Sequence, residues 1–316
     1  MSARRDRGGE ARAAAGDATD AGGPGDTPLT LVSGFVEAPK RRAVQRWLAE
    51  RPDGERWALL VDGSFDATHR APDGVTVFET AAGCACCLGA LALRTTLARV
   101  LRQGPWDRLL LLLSPSARPA AIVDGLRAGI AGAALRIDAV IAVVDALRAG
   151  PWLDPSAPGA ALAREQVDAA ALVVLVRGPG AASSRLAAVL ADGPLGARAL
   201  LDAGESTPSW REVTAALPAR SAHGLRRWPG EVAFDRARLQ RALAELRARE
   251  PDLTMRGVFR TARDWYLWQP GLAEPWQATC WRLDSRLMCA LTDAESSDWL
   301  DSTLEQAIRA DRPDER

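Results

Sequence analysis

Three of the five cysteines fall within four residues, in Gly83-Cys84-Ala85-Cys86-Cys87. A thiolate is a soft ligand, and a Cys-x-Cys-Cys run gathers several in a small volume, which suits Zn²⁺ or a similar divalent transition metal. In an extended segment Cys84 and Cys86 point to one side and Cys87 to the other. Two sulfurs can then share a metal, while Cys87 joins them after a local bend or is simply buried. The competing account is three small core thiols; three in four residues weigh towards a metal. Zinc needs a fourth ligand, for which Asp62, Asp66, His69 and Glu79 lie just upstream. Cys280 and Cys289 flank Asp284-Ser285, which reads as a turn, and could face each other across a hairpin, as core thiols sooner than as a second metal site. With only His69 and His223, and no Gly-x-Ser-x-Gly, the chain offers no Ser/His/Asp triad.

Composition narrows the class. A chain of 316 residues has room for two domains, and 47% hydrophobic with 25% charged residues is ordinary for a soluble globular protein. Formal net charge is zero, which leaves no nucleic-acid footprint. The apolar runs, such as Leu109 to Leu113, are far too short to span a bilayer. No apolar stretch follows the Arg-rich start, so no cleavable signal is expected. Five cysteines with three clustered do not make a secreted disulfide framework, and the expected compartment is the reducing cytoplasm. Among 40 basic residues one alone is lysine, Lys40, and asparagine is absent. That bias points to a GC-rich genome, and it makes the position of the sole lysine informative.

The elements that must position these residues follow from periodicity. Residues 1–27 are rich in Gly, Ala, Arg and Asp without apolar periodicity and are expected to be a disordered tail. Strands are predicted at Leu29 to Ser33, Trp57 to Val61, Val75 to Phe78, Arg108 to Leu113, Ile137 to Val144 and Ala170 to Val176. Helices are predicted at Arg41 to Glu50, Ala90 to Leu101, Pro119 to Ala128 and Ser183 to Leu190. Strands alternating with helices over residues 28–205 predict a doubly wound, mostly parallel α/β sheet. Residues 206–230 read as a linker and 231–316 as a smaller α+β domain. The latter opens with an amphipathic helix from Asp235, its N-cap, to Arg249. Strands there are expected at Gly257 to Arg263, Trp265 to Trp268, Gln277 to Leu283 and Leu287 to Leu291, with a last helix from about Asp298 to Ala310.

A strand, then Gly34-Phe35, then a loop ending in Lys40, then Gly-Cys-x-Cys-Cys resembles the CobW-type metallochaperone GTPases. Further segments fall in that family's order. Arg108 to Pro119 lies where the family has an acidic strand and its loop, Asp138 to Ala146 matches a strand ending in Val-Asp-Ala, and Glu165-Gln166 precedes the guanine-recognition strand. Arg256 to Trp268 resembles the start of the C-terminal sheet. The resemblance implies a P-loop GTPase fold, with Gly34 and Lys40 at the phosphates and Cys84, Cys86 and Cys87 on a divalent metal.

The nucleotide positions depart from that pattern. A P-loop needs Gly-x-x-x-x-Gly-Lys-Ser/Thr, and the chain has Gly34-Phe35-Val36-Glu37-Ala38-Pro39-Lys40-Arg41. Pro39 removes an N–H, Arg41 replaces the Mg²⁺-binding hydroxyl, and Glu37 brings a negative charge to the phosphates. Leu112 stands at the carboxylate position and Pro115 at a γ-phosphate amide. Val176-Arg177-Gly178-Pro179 stands for the guanine-reading Asn-Lys-x-Asp. Loss of a single preorganised contact costs on the order of 10²-fold. The expectation is a degenerate member that keeps the metal motif and loses GTP hydrolysis, although Lys40, Arg41 and Arg42 at a helix start could still draw an anion. Two alternatives stay open: an active metal-dependent GTPase with a divergent loop, and a non-catalytic partner of an intact paralogue. A metalloprotein client is expected, with homo- or hetero-oligomers possible and neither nucleic acid nor membrane among the partners.

Overall fold

The computed structural model describes residues 27–64, 72–80, 90–128, 135–177, 184–193, 196–197, 199–218, 225–251, 253–262, 264–289, 291 and 294–309. Cys84, Cys86, Cys87, Asp66, His69 and His223, and nearly all of the expected tail, lie outside them.

Seven parallel strands form the first sheet: β1 (Thr27–Ser33), β2 (Trp57–Val61), β3 (Val75–Glu79), β4 (Arg108–Leu112), β5 (Leu135–Asp145), β6 (Leu172–Val176) and β9 (Ala199–Asp202). Their order is β3-β2-β4-β1-β5-β6-β9. A two-residue pair, β7 (Asp192–Gly193) and β8 (Gly196–Ala197), stands apart. The central strands are apolar throughout because helices cover both faces. Alternation assigns each residue its side. Leu29, Leu31, Leu109, Leu111, Val140, Ala142 and Val144 meet α2 (Ala90–Arg102), α3 (Pro119–Arg127), α4 (Gly150–Leu153), α5 (Ala160–Asp168) and α6 (Ser184–Ala191). Val32, Leu110, Leu112, Ile141 and Val143 meet α1 (Glu37–Ala49) and α7 (Trp210–Ala216). This is the doubly wound α/β architecture expected.

The second sheet is antiparallel, in the order β10 (Leu225–Pro229), β14 (Asp284–Cys289), β11 (Met255–Arg260), β12 (Trp265–Trp268) and β13 (Trp276–Ala278). Helices α8 (Arg236–Arg249) and α9 (Ala294–Ala307) cover one face, burying Leu239, Leu243, Leu246, Leu300 and Leu304 against Met255, Phe259 and Leu287. Asp235 caps α8 as expected, accepting from the Arg238 amide at 2.9 Å. The other face meets the first sheet where Val258, Trp265 and Trp281 pack on Ala171 and Leu217.

Several elements differ from expectation. α7 and β10 lie inside the stretch read as linker. The Ser209–Glu212 capping box that starts α7 was a usable signal, since its Ser-x-x-Glu spacing stands in the sequence. α5 is Ala-rich and shows little apolar contrast, and β9 is a short edge strand. Asp284-Ser285 is not a turn but the start of β14. Asp284 is buried there because the Arg227 and Arg286 guanidinium groups satisfy it. β14 pairs with β10 and β11 and not with β13, so Cys280 and Cys289 do not face each other across a hairpin.

Arg127, near the end of α3, joins the two sheets. It donates to the carbonyls of Arg282 and, at 2.8 Å, Leu283, and its guanidinium lies over Trp265. Arg282 returns the contact to Asp124 at 2.8 Å. Arg127→Ala strips charged donors from two carbonyls and is expected to lower unfolding free energy by about 2–4 kcal/mol in urea titration. A loss under about 0.5 kcal/mol, the scale of an ordinary surface substitution, would contradict this account.

Candidate functional site

Ligands of open α/β sheets sit beyond the carboxyl ends of the strands. There β1 ends at Ser33 and α1 begins at Glu37, leaving only Gly34, Phe35 and Val36 between them. The helix was expected from Arg41, so its first turn takes up the residues that a phosphate loop would use. The reason is local. Glu37 in the first turn suits the positive helix end, and Pro39 is tolerated there because first-turn amides lack intrahelical partners.

Gly34 has φ +142°, and a Cβ on it would lie 2.2 Å from the Val143 carbonyl oxygen, so no other residue fits without moving β5. Phe35 stacks edge-on against Trp152, with ring centroids 6.1 Å apart. It also lies against Gly159, where a Cβ would come within 2.7 Å of the Phe35 ring.

Lys40 does not point outward. It is 0% exposed, donates to the Leu113 carbonyl, and pairs with Glu37 Oε2 at 3.1 Å. Glu37 Oε1 takes Arg41 Nε at 2.8 Å. Burial pushes the Lys40 pKa below the ordinary lysine value, opposed by the nearby Glu37 and Asp62 carboxylates. Of the three basic residues at this helix start, Lys40 faces inward: the helix opens with a carboxylate, and the lysine is its internal partner.

The neighbouring loops are held by the chain's own groups. Asp62, buried at the end of β2, accepts from Ser114 N at 3.3 Å. Gln166 on α5 donates to the carbonyls of Pro115 at 2.8 Å and Ala117 at 3.0 Å. Gln166 was visible in the sequence only as part of the Glu165-Gln166 pair, because its two partner carbonyls are remote in sequence. Leu112 is packed among apolar side chains. Asp145 caps the turn after β5, accepting from Leu147 N at 2.9 Å. Just after β6, Arg177 pairs with Asp202, and its amide donates to Gly204 O at 2.6 Å.

Of the candidate metal residues, Asp62 and Glu79 are described. Glu79 is exposed at the end of β3, and Thr80 beside it links to Val61 O and Gly63 N at 3.2 Å each. The cysteine motif begins a few residues further on. Among the described residues no cluster of His, Cys, Asp and Glu could hold a metal. Burial pushes the Cys280 thiol up to about 11 and raises Cys289 as well, so neither is a ready thiolate.

Residues 28–191, just over half of the chain, match the CobW/HypB/UreG family by its nucleotide-binding domain. The chain belongs to this family. The chain is similar to the zinc chaperone YeiR of Escherichia coli (strain K12), at 30% identity over 123 residues. That stretch spans 38% of this chain and 38% of YeiR, well under half of either protein. In shape the chain is similar to the Zn(II)-bound YjiA GTPase of E. coli, with a TM-score of 0.49 at 15% identity over 89% of this chain and 99% of that one. A Zn(II)-bound triple mutant of YjiA gives 0.47 at 15% identity, covering 90% of this chain and 99% of the mutant. Both likenesses are too loose to bear on function.

Two outcomes follow from this geometry. Gly34→Ala places a methyl group against β5 and is expected to lower stability by about 2 kcal/mol or more in thermal or urea unfolding; an unchanged midpoint would rule out the close approach. The second concerns alkaline pH. The unfolded lysine keeps its proton up to about 10.5, while the buried Lys40 loses it earlier. Between those values the unfolded state binds more protons, so this group's contribution to stability rises with pH. Wild-type unfolding free energy, measured against Lys40→Met across that window, should gain on the variant as pH climbs. A falling difference would show the pKa displaced the other way.

Proposed function

We propose that this chain is a CobW-type metal-binding protein that carries, buffers or senses a divalent transition metal, zinc foremost, through Cys84, Cys86 and Cys87. Its nucleotide site is degenerate and GTP hydrolysis is lost. The observation that carries the second half is Lys40, buried and paired with Glu37 where a phosphate-binding lysine would have to reach outward. The helical first turn of α1, the proline without an amide and the arginine in place of a hydroxyl support it.

The first half is supported by the soft-donor chemistry of three clustered thiols and by the partial likeness to a zinc chaperone. Zinc is cargo in this reading, and its recipient would be a metalloprotein client met by surface contact. No helix among the described residues is long and apolar enough to cross a membrane. The proposed compartment is the cytoplasm, where reduced thiols remain available.

Two measurements on the purified, reduced protein test the proposal. Zinc titration should show a site that weakens by more than about 100-fold in Cys84→Ser/Cys86→Ser, since the lost thiolates are the ligands themselves. GTP turnover with Mg²⁺ should be indistinguishable from that of Lys40→Ala. Refusal of zinc by the reduced protein sinks the first half, and turnover well above the control sinks the second.

A further inference from the structure

The loop that leaves β4, residues 113–118, is gripped by side chains from three separate elements. Lys40 on α1 donates to Leu113 O. Asp62 beyond β2 accepts from Ser114 N at 3.3 Å. Gln166 on α5 spans Pro115 O and Ala117 O at 2.8 and 3.0 Å. Lys40, Asp62 and Gln166 are 0%, 7% and 1% exposed. The loop also closes on itself, Ala117 N donating to Ser114 O at 3.1 Å, and on β1, Leu113 N donating to Val32 O at 2.9 Å.

The loop runs directly into α3, and α3 carries the second sheet through Asp124 and Arg127. Any displacement of the loop would break bonds at its buried end, drag α3, and disturb the Arg127 and Arg282 contacts. Moving the loop would leave the Pro115 and Ala117 carbonyls and the Gln166 amide donor unmatched, which favours the one geometry.

We propose that Lys40, Asp62 and Gln166 form a permanent clamp that fixes the β4–α3 loop, and through α3 the second sheet, in one conformation without any nucleotide. Lys40 is then a positioning residue for the loop, and Glu37 is the counter-charge that lets it stay an ammonium inside the protein. The inference rests on the degenerate nucleotide site proposed above and is independent of zinc. The clamp's gain lies in uniqueness of conformation more than in global stability. Burying an ion pair typically returns little net free energy against an apolar isostere, while holding the groups in register.

Hydrogen exchange read by mass spectrometry on the full chain tests this. The amides of Ser114 and Ala117 should exchange at least tenfold faster in Lys40→Met and in Gln166→Leu, while the amides of β5 keep their wild-type rates. In the wild type, Mg²⁺-GTP should leave the loop's exchange unchanged. Loop exchange unaltered in a folded variant overturns the clamp. Tenfold slowing of the loop by Mg²⁺-GTP overturns both the clamp and the degenerate-site reading, whereas a failed zinc titration touches neither. Should one variant not fold, the other decides, and the wild-type nucleotide arm stands by itself.

Discussion

A buried ammonium governs the carboxyl edge of the first sheet. Lys40 sits between the Glu37 carboxylate and the Leu113 carbonyl with no exposure. A charge so placed is tolerable only with its partners in position. It therefore ties the first turn of α1, which begins at Glu37, to the end of β4. Desolvation outweighs the attraction of the neighbouring carboxylates, as the depressed pKa shows. The arrangement adds order at this edge without adding much stability.

Arginine does the remaining polar joining. A guanidinium stacks on aromatic faces and forks onto carboxylates and carbonyls in ways a lysine cannot. Arg108 lies over Trp57 and Trp210, Arg286 over Trp281, and Arg249 over Trp299. Arg127 and Arg282 sit at the seam between the sheets over Trp265. In a chain with 40 basic residues and one lysine, that one compact ammonium is fully buried.

The strands of the first sheet other than the short edge strand β9 were legible because burial leaves continuous apolar runs such as Leu109 to Leu112. The α8 helix was legible from its cap and stripe. The elements that were not legible lack contrast or depend on distant partners. α5 is built mostly of small residues, and β14 opens with Asp284-Ser285, whose turn-like character is overridden by two arginines from the sheet. At the site, Glu37, Pro39 and Arg41 could be read directly as departures from the Gly-x-x-x-x-Gly-Lys-Ser/Thr pattern. That Lys40 turns inward could not, because its partner carbonyl at Leu113 is remote in sequence. The described residues stop short of the cysteine motif, so its chemistry rests on residue type and spacing.

The helical first turn of α1 also bears on evolutionary reversibility. Restoring a glycine at position 39 alone would leave the Glu37 carboxylate seated on Lys40 and Arg41. Replacing Glu37 alone would leave Pro39 without an amide, and a hydroxyl at 41 alone would meet a lysine facing inward. No single step among these recreates a phosphate cradle, and each intermediate disturbs a packed edge. On the proposed loss of GTP hydrolysis, a return would need coordinated replacements at this edge and could not come from one substitution.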